Sequence, residues 1–145
     1  MRSPLEKHAL NNETENTDSR RPWILLVEDE YDLGSTLSML LELQGLPTLH
    51  VNNGQQALDR LARDARDDSL PGLVLSDCMM PVMDGLALSH ALRTNAATAH
   101  IPIVLMSAAP QFHDLSKASF DALIEKPFLI EDLLDILRSL MSAPR

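Results

Sequence analysis

The chain has 145 residues, 45% of them apolar and 23% charged, which is the balance of one globular domain of ordinary size and leaves little room for a second. Its 12 basic and 21 acidic residues give a net charge of -9, and no Lys or Arg cluster is present to neutralise a run of phosphates, which argues against direct nucleic-acid binding. Cys78 is the lone cysteine, excluding an internal disulfide and a multi-cysteine metal centre, and no apolar run approaches the roughly 18 residues of a membrane span.

Residues 1–22 hold four bases (Arg2, Lys7, Arg20, Arg21) and four acids (Glu6, Glu13, Glu15, Asp18), so the whole negative charge belongs to residues 23–145. From Asn11 to Ser19 there is no apolar side chain, and nothing offsets the entropy of ordering that backbone, so residues 1–22 are expected to form a disordered tail. No apolar segment follows the amino-terminal bases, which speaks against a secretory signal. With a single thiol as well, the expected location is the cytoplasm.

Beyond the tail, short apolar runs alternate with amphipathic segments. Residues 23–27 (Trp-Ile-Leu-Leu-Val) read as a strand buried on both faces. Leu33, Leu37, Leu40 and Leu41 make a helical stripe stopped by Gly45, and residues 47–51 are a weaker strand. Ala57, Leu58, Leu61, Ala62 and Ala65 give a second stripe, followed by a strand at residues 73–75. Asp84 is placed to cap a third helix running through Asn95, and residues 101–106 form the next buried strand. A last weak strand at 122–124 precedes a helix over 130–142 carrying Leu133, Leu134, Ile136, Leu137, Leu140 and Met141. This alternation predicts an α/β domain over residues 23–142, a doubly wound five-stranded parallel sheet with right-handed crossovers. Sites in such sheets form at the carboxyl ends of the strands.

The residues at those ends are chemically unusual. Strand one runs into Glu28-Asp29-Glu30, strand three into Asp77, strand four into Ser107, and strand five into Lys126-Pro127. Singly, each has an ordinary reading: a solvated acidic turn, a turn-forming Asp, a Ser satisfying local backbone, a surface Lys. Jointly they place carboxylates, a hydroxyl and an ammonium at one rim. Three carboxylates gathered within ~5 Å would cost about 3 kcal/mol per like-charge pair at an effective dielectric near 20, so the cluster calls for a cation. An all-oxygen ligand set suits Mg²⁺. Carboxylate, divalent ion, hydroxyl and ammonium together are what phosphoryl transfer to an Asp nucleophile requires. His8, His50, His90, His100 and His113 show no paired ligand spacing and receive no role. Met79, Met80, Met83 and Cys78 are read as packing residues around the loop.

The string Leu75-Ser76-Asp77-Cys78-Met79-Met80-Pro81-Val82-Met83-Asp84-Gly85, with the acidic pair upstream and Ser107 and Lys126-Pro127-Phe128 downstream, resembles the receiver domain of bacterial two-component response regulators over roughly residues 23–141. The resemblance implies a flavodoxin-like fold of strand order 2-1-3-4-5 with Asp77 as the phosphorylated aspartate. Glu28 and Asp29, together with Asp77 and the Met79 backbone carbonyl, would hold Mg²⁺, while Ser107 and Lys126 would contact the phosphoryl group. In family terms the phosphoryl group comes from a histidine kinase or a histidine phosphotransfer protein, the domain catalyses its own acyl-phosphate formation and hydrolysis, and a downstream protein reads the result.

Several positions depart from the family pattern. Leu123 stands three residues before Lys126, where an aromatic is usual, with Phe120 three residues earlier. Ser107 and Lys126 are closer in sequence than expected and Pro110 falls between them, so the fourth helix should be short or irregular. Leu129 stands where a polar cap of the last helix is expected. After Met141 only Ser142-Ala143-Pro144-Arg145 remain, which makes the expected readout a partner protein, or the chain a fragment of a larger regulator or hybrid kinase. Two further readings keep the fold. One is a receiver-like scaffold acting without phosphorylation, favoured by Leu123. The other is a Mg²⁺-dependent phosphohydrolase, disfavoured by the lack of a cap region and of an Asp-x-Asp at Asp77-Cys78-Met79. Nucleotide-binding strings G-x-G-x-x-G and G-x-x-x-x-G-K-[ST] do not occur.

Overall fold

A computed structural model describes residues 22–109 and 119–142. The elements run β1 (Ile24–Val27), α1 (Tyr31–Leu43), β2 (Thr48–Val51), α2 (Gly54–Arg66), β3 (Leu73–Asp77), α3 (Gly85–Arg93), β4 (Ile103–Ser107), β5 (Ala122–Glu125) and α4 (Ile130–Met141). The five strands form one parallel sheet in the order β2-β1-β3-β4-β5, as the resemblance implies. The tail expected over residues 1–22 and the short helix expected between β4 and β5 fall almost wholly outside the described residues.

The three central strands are apolar almost throughout because both of their faces are covered. Successive side chains still alternate between faces. Ile24, Leu26, Leu73, Leu75, Val104 and Met106 pack under Leu37 and Leu41 of α1 and Leu133, Leu134 and Leu137 of α4. Leu25, Val27, Val74, Ile103 and Leu105 pack under Ala57 and Leu61 of α2 and Leu88 and Leu92 of α3. Every one of these side chains is buried. Leu25 is fully buried in this core, and truncating a residue so placed to Ala typically costs about 2–5 kcal/mol.

Local chemistry sets the ends. Gly45, at φ 82°, ends α1 in a Schellman turn, its N–H donating to Glu42 O and that of Leu46 to Leu41 O, each at 3.0 Å. Asp84 caps α3 by accepting the Ala87 N–H at 2.8 Å, as expected, although the helix stops at Arg93 and not at Asn95. Leu129 gives α4 no side-chain cap. The strand read from residue 101 begins only at Ile103: Pro102 has no N–H to give, and the Ile103 N–H donates to the Asp121 carboxylate at 2.7 Å. Arg93 ties this edge together, donating to the carbonyls of Ala99 at 2.8 Å and Ile101 at 2.9 Å and pairing with Asp121. Among the described residues no helix is long and apolar enough to cross a membrane.

Candidate functional site

The sheet gathers the singled-out residues at one rim because parallel strands all end on the same side. Glu28 follows β1, Asp77 and Ser107 are the last residues of β3 and β4, and Lys126 follows β5. One carboxylate oxygen from each of Glu28, Asp29 and Asp77 lies within 4.8 Å of the others. Lys126 Nζ donates to Asp77 Oδ1 at 2.6 Å and stands 3.5 Å from Glu28 Oε1. Glu28 is only 2% exposed and Asp77 8%, whereas Asp29 faces solvent.

Burial, reinforced by the charge of Asp77, lifts the Glu28 carboxyl above its usual range against the pull of the Glu30 N–H, which donates to Oε2 at 3.2 Å, and of Lys126. Burial draws the Lys126 ammonium down, but the hydrogen bond and charge of Asp77, with the charge of Glu28 behind them, outweigh it and raise its pKa. Among the described residues three carboxylates against one ammonium leave two negative charges, and Glu28 Oε1, sealed from solvent, has the Lys126 ammonium at 3.5 Å but accepts no well-formed hydrogen bond. A buried oxygen so weakly satisfied, in an all-oxygen set with a surplus of two charges, fits a divalent cation.

The loop after β3 is held on both sides. Cys78 N–H donates to Met106 O at 2.8 Å, and Gly85 N–H donates back to Cys78 O at 2.9 Å. Cys78 itself is buried, and burial, then the charges of Asp84 and Asp77, push its thiol up to about 11; it packs behind the loop and is a poor redox centre. Met80 and Met83 pack against the core while the Met79 side chain is exposed. Ser107 is buried, its Oγ accepting the Ala109 N–H at 3.2 Å and its carbonyl the Lys126 N–H at 2.8 Å, which anchors the lysine to the end of β4. The Lys126–Pro127 peptide is cis.

Val82 lies in this loop at φ 72° with its side chain exposed. A β-branched residue there is strained by about 1–3 kcal/mol. Val82→Gly should therefore raise stability by about 1 kcal/mol, part of the relief being offset by the freer unfolded chain. Thermal melting measures it, and a loss of stability would show that the valine packs.

The rim thus gathers three carboxylates, a hydroxyl and an ammonium at the carboxyl ends of four parallel strands. The profile of the response regulator receiver domain matches residues 24–138. The chain belongs to this family. Curated relatives include RpaA of Synechocystis sp., described as a DNA-binding dual master transcriptional regulator, 31% identical over 124 residues and covering 83% of this chain and 49% of that protein. CpxR of Escherichia coli, a transcriptional regulatory protein, is 34% identical over 121 residues, covering 81% of this chain and 48% of its own length. The receiver thus spans about half the length of these relatives. Among solved structures, the signal receiver domain of a histidine kinase from Syntrophus aciditrophicus superposes with a TM-score of 0.75 at 31% identity, over 83% of this chain and 90% of that one. The response regulator TrrA of Thermotoga maritima, crystallised with Mg²⁺ and BeF, gives a TM-score of 0.70 at 26% identity, over 82% and 98%.

All five side chains singled out in the receiver's sequence lie at this rim, the acidic three with oxygens within 4.8 Å of one another and Lys126 in contact with Asp77 and Glu28. One neighbour escaped the sequence reading. His50, assigned no role there, places Nε2 2.8 Å from the carbonyl oxygen of Glu28. Its signal was the order of the strands, since a strand two beside strand one sets His50 level with Leu26, two residues before Glu28.

Proposed function

We propose that this receiver takes a phosphoryl group onto Asp77 from a phosphohistidine of a histidine kinase or histidine phosphotransfer protein and signals by protein contact. The single observation that supports it best is the Glu28, Asp29 and Asp77 cluster facing Lys126. Glu28, Asp29, Asp77 and the Met79 carbonyl are the residues to hold Mg²⁺. When bound, the ion offsets charge on the phosphoryl oxygens.

A carboxylate oxygen of Asp77 attacks phosphorus in line, the bond from phosphorus to the donor's imidazole nitrogen breaks, and that nitrogen leaves with the electron pair. Lys126, already on Asp77 Oδ1, needs little movement to follow negative charge onto the phosphoryl oxygens, and the Ser107 hydroxyl at the end of β4 adds a donor. Hydrolysis reverses the covalent change: water attacks phosphorus and the Asp77 carboxylate leaves. Phosphorylation brings roughly -1.5 to -2 charges to a buried edge, and because the Lys126 N–H is bonded to the Ser107 carbonyl, displacement of either residue moves the loops after β4 and β5 together. Turning a mostly resting surface into a mostly active one requires phosphate to favour the active state by about 5.5 kcal/mol. Leu123, half-buried and packed with Phe120 on the core, takes the place of an aromatic switch, so the change should be smaller or differently located.

The proteins this receiver resembles include transcriptional regulators and a histidine kinase, and either setting fits a receiver that is one part of a longer protein. The test is incubation with acetyl phosphate, with and without Mg²⁺, followed by intact-mass and peptide mass spectrometry. A single Mg²⁺-dependent phosphoryl adduct on the Asp77 peptide, absent in Asp77→Asn, is expected. A folded protein that gains no adduct contradicts phosphorylation and leaves the scaffold reading.

A further inference from the structure

The carbonyl of Glu28 lies one residue beyond β1, and β2, its neighbouring strand, ends at Val51. Val51 O still accepts the Glu28 N–H at 3.0 Å, but Asn53 then turns to cap α2, its side chain accepting the Gln56 N–H at 2.8 Å. A side chain takes over where the ladder stops. His50 Nε2 is 2.8 Å from the Glu28 carbonyl oxygen, and since a carbonyl can only accept, that nitrogen carries the proton. Two residues of α1 fix the ring. At Gly34 a Cβ would fall 2.2 Å from His50 Nε2 and 2.3 Å from Cε1, so the glycine leaves the space the imidazole fills. The Tyr31 ring stands 6.1 Å from the imidazole, inclined by 40°.

We propose that His50 is a positioning residue for the cation: by holding the Glu28 peptide from the side of β2 it sets the turn that aims the Glu28 and Asp29 carboxylates, and Gly34 is the residue that admits its ring. The inference rests on the Mg²⁺ reading given above. It has a physical basis in what holds this turn: Asp29 is exposed, the Glu28 carboxylate accepts the Glu30 N–H inside the same turn and stands 3.5 Å from Lys126 Nζ, and beyond the Glu28 N–H bonded to Val51 O the His50 contact is what holds the Glu28 peptide from β2. Groups that orient a ligand from behind typically change metal affinity by about 10–100-fold.

The experiment titrates Mg²⁺ alone, by calorimetry, into the full chain and into three variants checked for folding by circular dichroism. His50→Phe keeps a ring and loses the donor, and is expected to weaken Mg²⁺ binding about tenfold. His50→Gln returns an N–H at similar reach and should recover most of that loss, which a purely packing role for the imidazole would not produce. Gly34→Ala drives the ring from the carbonyl with His50 unchanged, and should weaken binding as His50→Phe does. The imidazole ¹⁵N spectrum of the unaltered chain should show His50 protonated at Nε2. Equal affinity in the unaltered chain and His50→Phe overturns this inference and leaves the Mg²⁺ site standing, as does a loss in His50→Gln as large as that in His50→Phe. No Mg²⁺ uptake by the unaltered chain overturns both.

Discussion

Lys126→Met should slow phosphoryl transfer from acetyl phosphate to Asp77 by about 10²–10³-fold, the usual cost of removing one fixed donor from the charge that develops in a transition state. The lysine is placed for this by two contacts, 2.6 Å to Asp77 Oδ1 and 3.5 Å to Glu28 Oε1, and by its backbone bond to Ser107. Met keeps the length of the stem and removes the ammonium. The same change leaves Glu28 and Asp77 without their cation, and breaking a buried pair by removing one partner costs about 3–5 kcal/mol. Here the lysine side chain is 23% exposed, so solvent softens the loss to about 2 kcal/mol. Mg²⁺ separates the two effects. It replaces the missing positive charge and should restore most of the melting temperature, while the rate stays low because the donor to the phosphoryl oxygens is gone. Rate by quenched mass spectrometry and melting with and without Mg²⁺ measure both, and an unchanged rate would contradict the role given to Lys126.

Gly85→Ala should destabilise the receiver by about 3 kcal/mol, the upper end of ordinary overpacking, and lower its melting temperature by roughly 10 °C. A Cβ at Gly85 would stand 2.5 Å from the Asp77 carbonyl oxygen, 3.1 Å from Cys78 Cα and 3.2 Å from Leu105 Cδ2. The first two are backbone atoms and cannot swing aside. The gain of about 1 kcal/mol from Ala over Gly in a helix is smaller than the clash. Relief requires the end of β3 and the loop after it to move away from α3, and β3 ends in Asp77, so phosphoryl acceptance should fall with stability. A melting temperature at or above that of the parent would show that α3 yields easily and that glycine is not required beneath the loop.

Much of this site could be read in the sequence because the rule that places it is local. Residues just after a strand in a parallel sheet lie at the carboxyl rim, so the positions of Glu28, Asp77, Ser107 and Lys126 are each legible from their own strand. The strand order was not legible in the same way: β1, β3 and β4 are buried on both faces, which erases the period-two pattern by which a strand shows its environment, and the order came from the resemblance carried by the loop after β3. What the sequence hid depends on pairs far apart in the chain. His50 acquires its meaning from the register that sets it beside Leu26 and from the absence of a side chain at Gly34. Asp121 looks like a surface carboxylate until Arg93 and the Ile103 N–H, both distant in sequence, are seen converging on it.

Three carboxylates are expected to tolerate one another at this rim by sharing a divalent cation that prepares Asp77 for phosphorylation. Titrating Mg²⁺ into the chain in a calorimeter, beside Glu28→Gln and Asp77→Asn, tests it most directly. One ion per chain, bound more weakly in both variants, is the predicted result. Absence of uptake, or uptake equal in all three proteins, would contradict it.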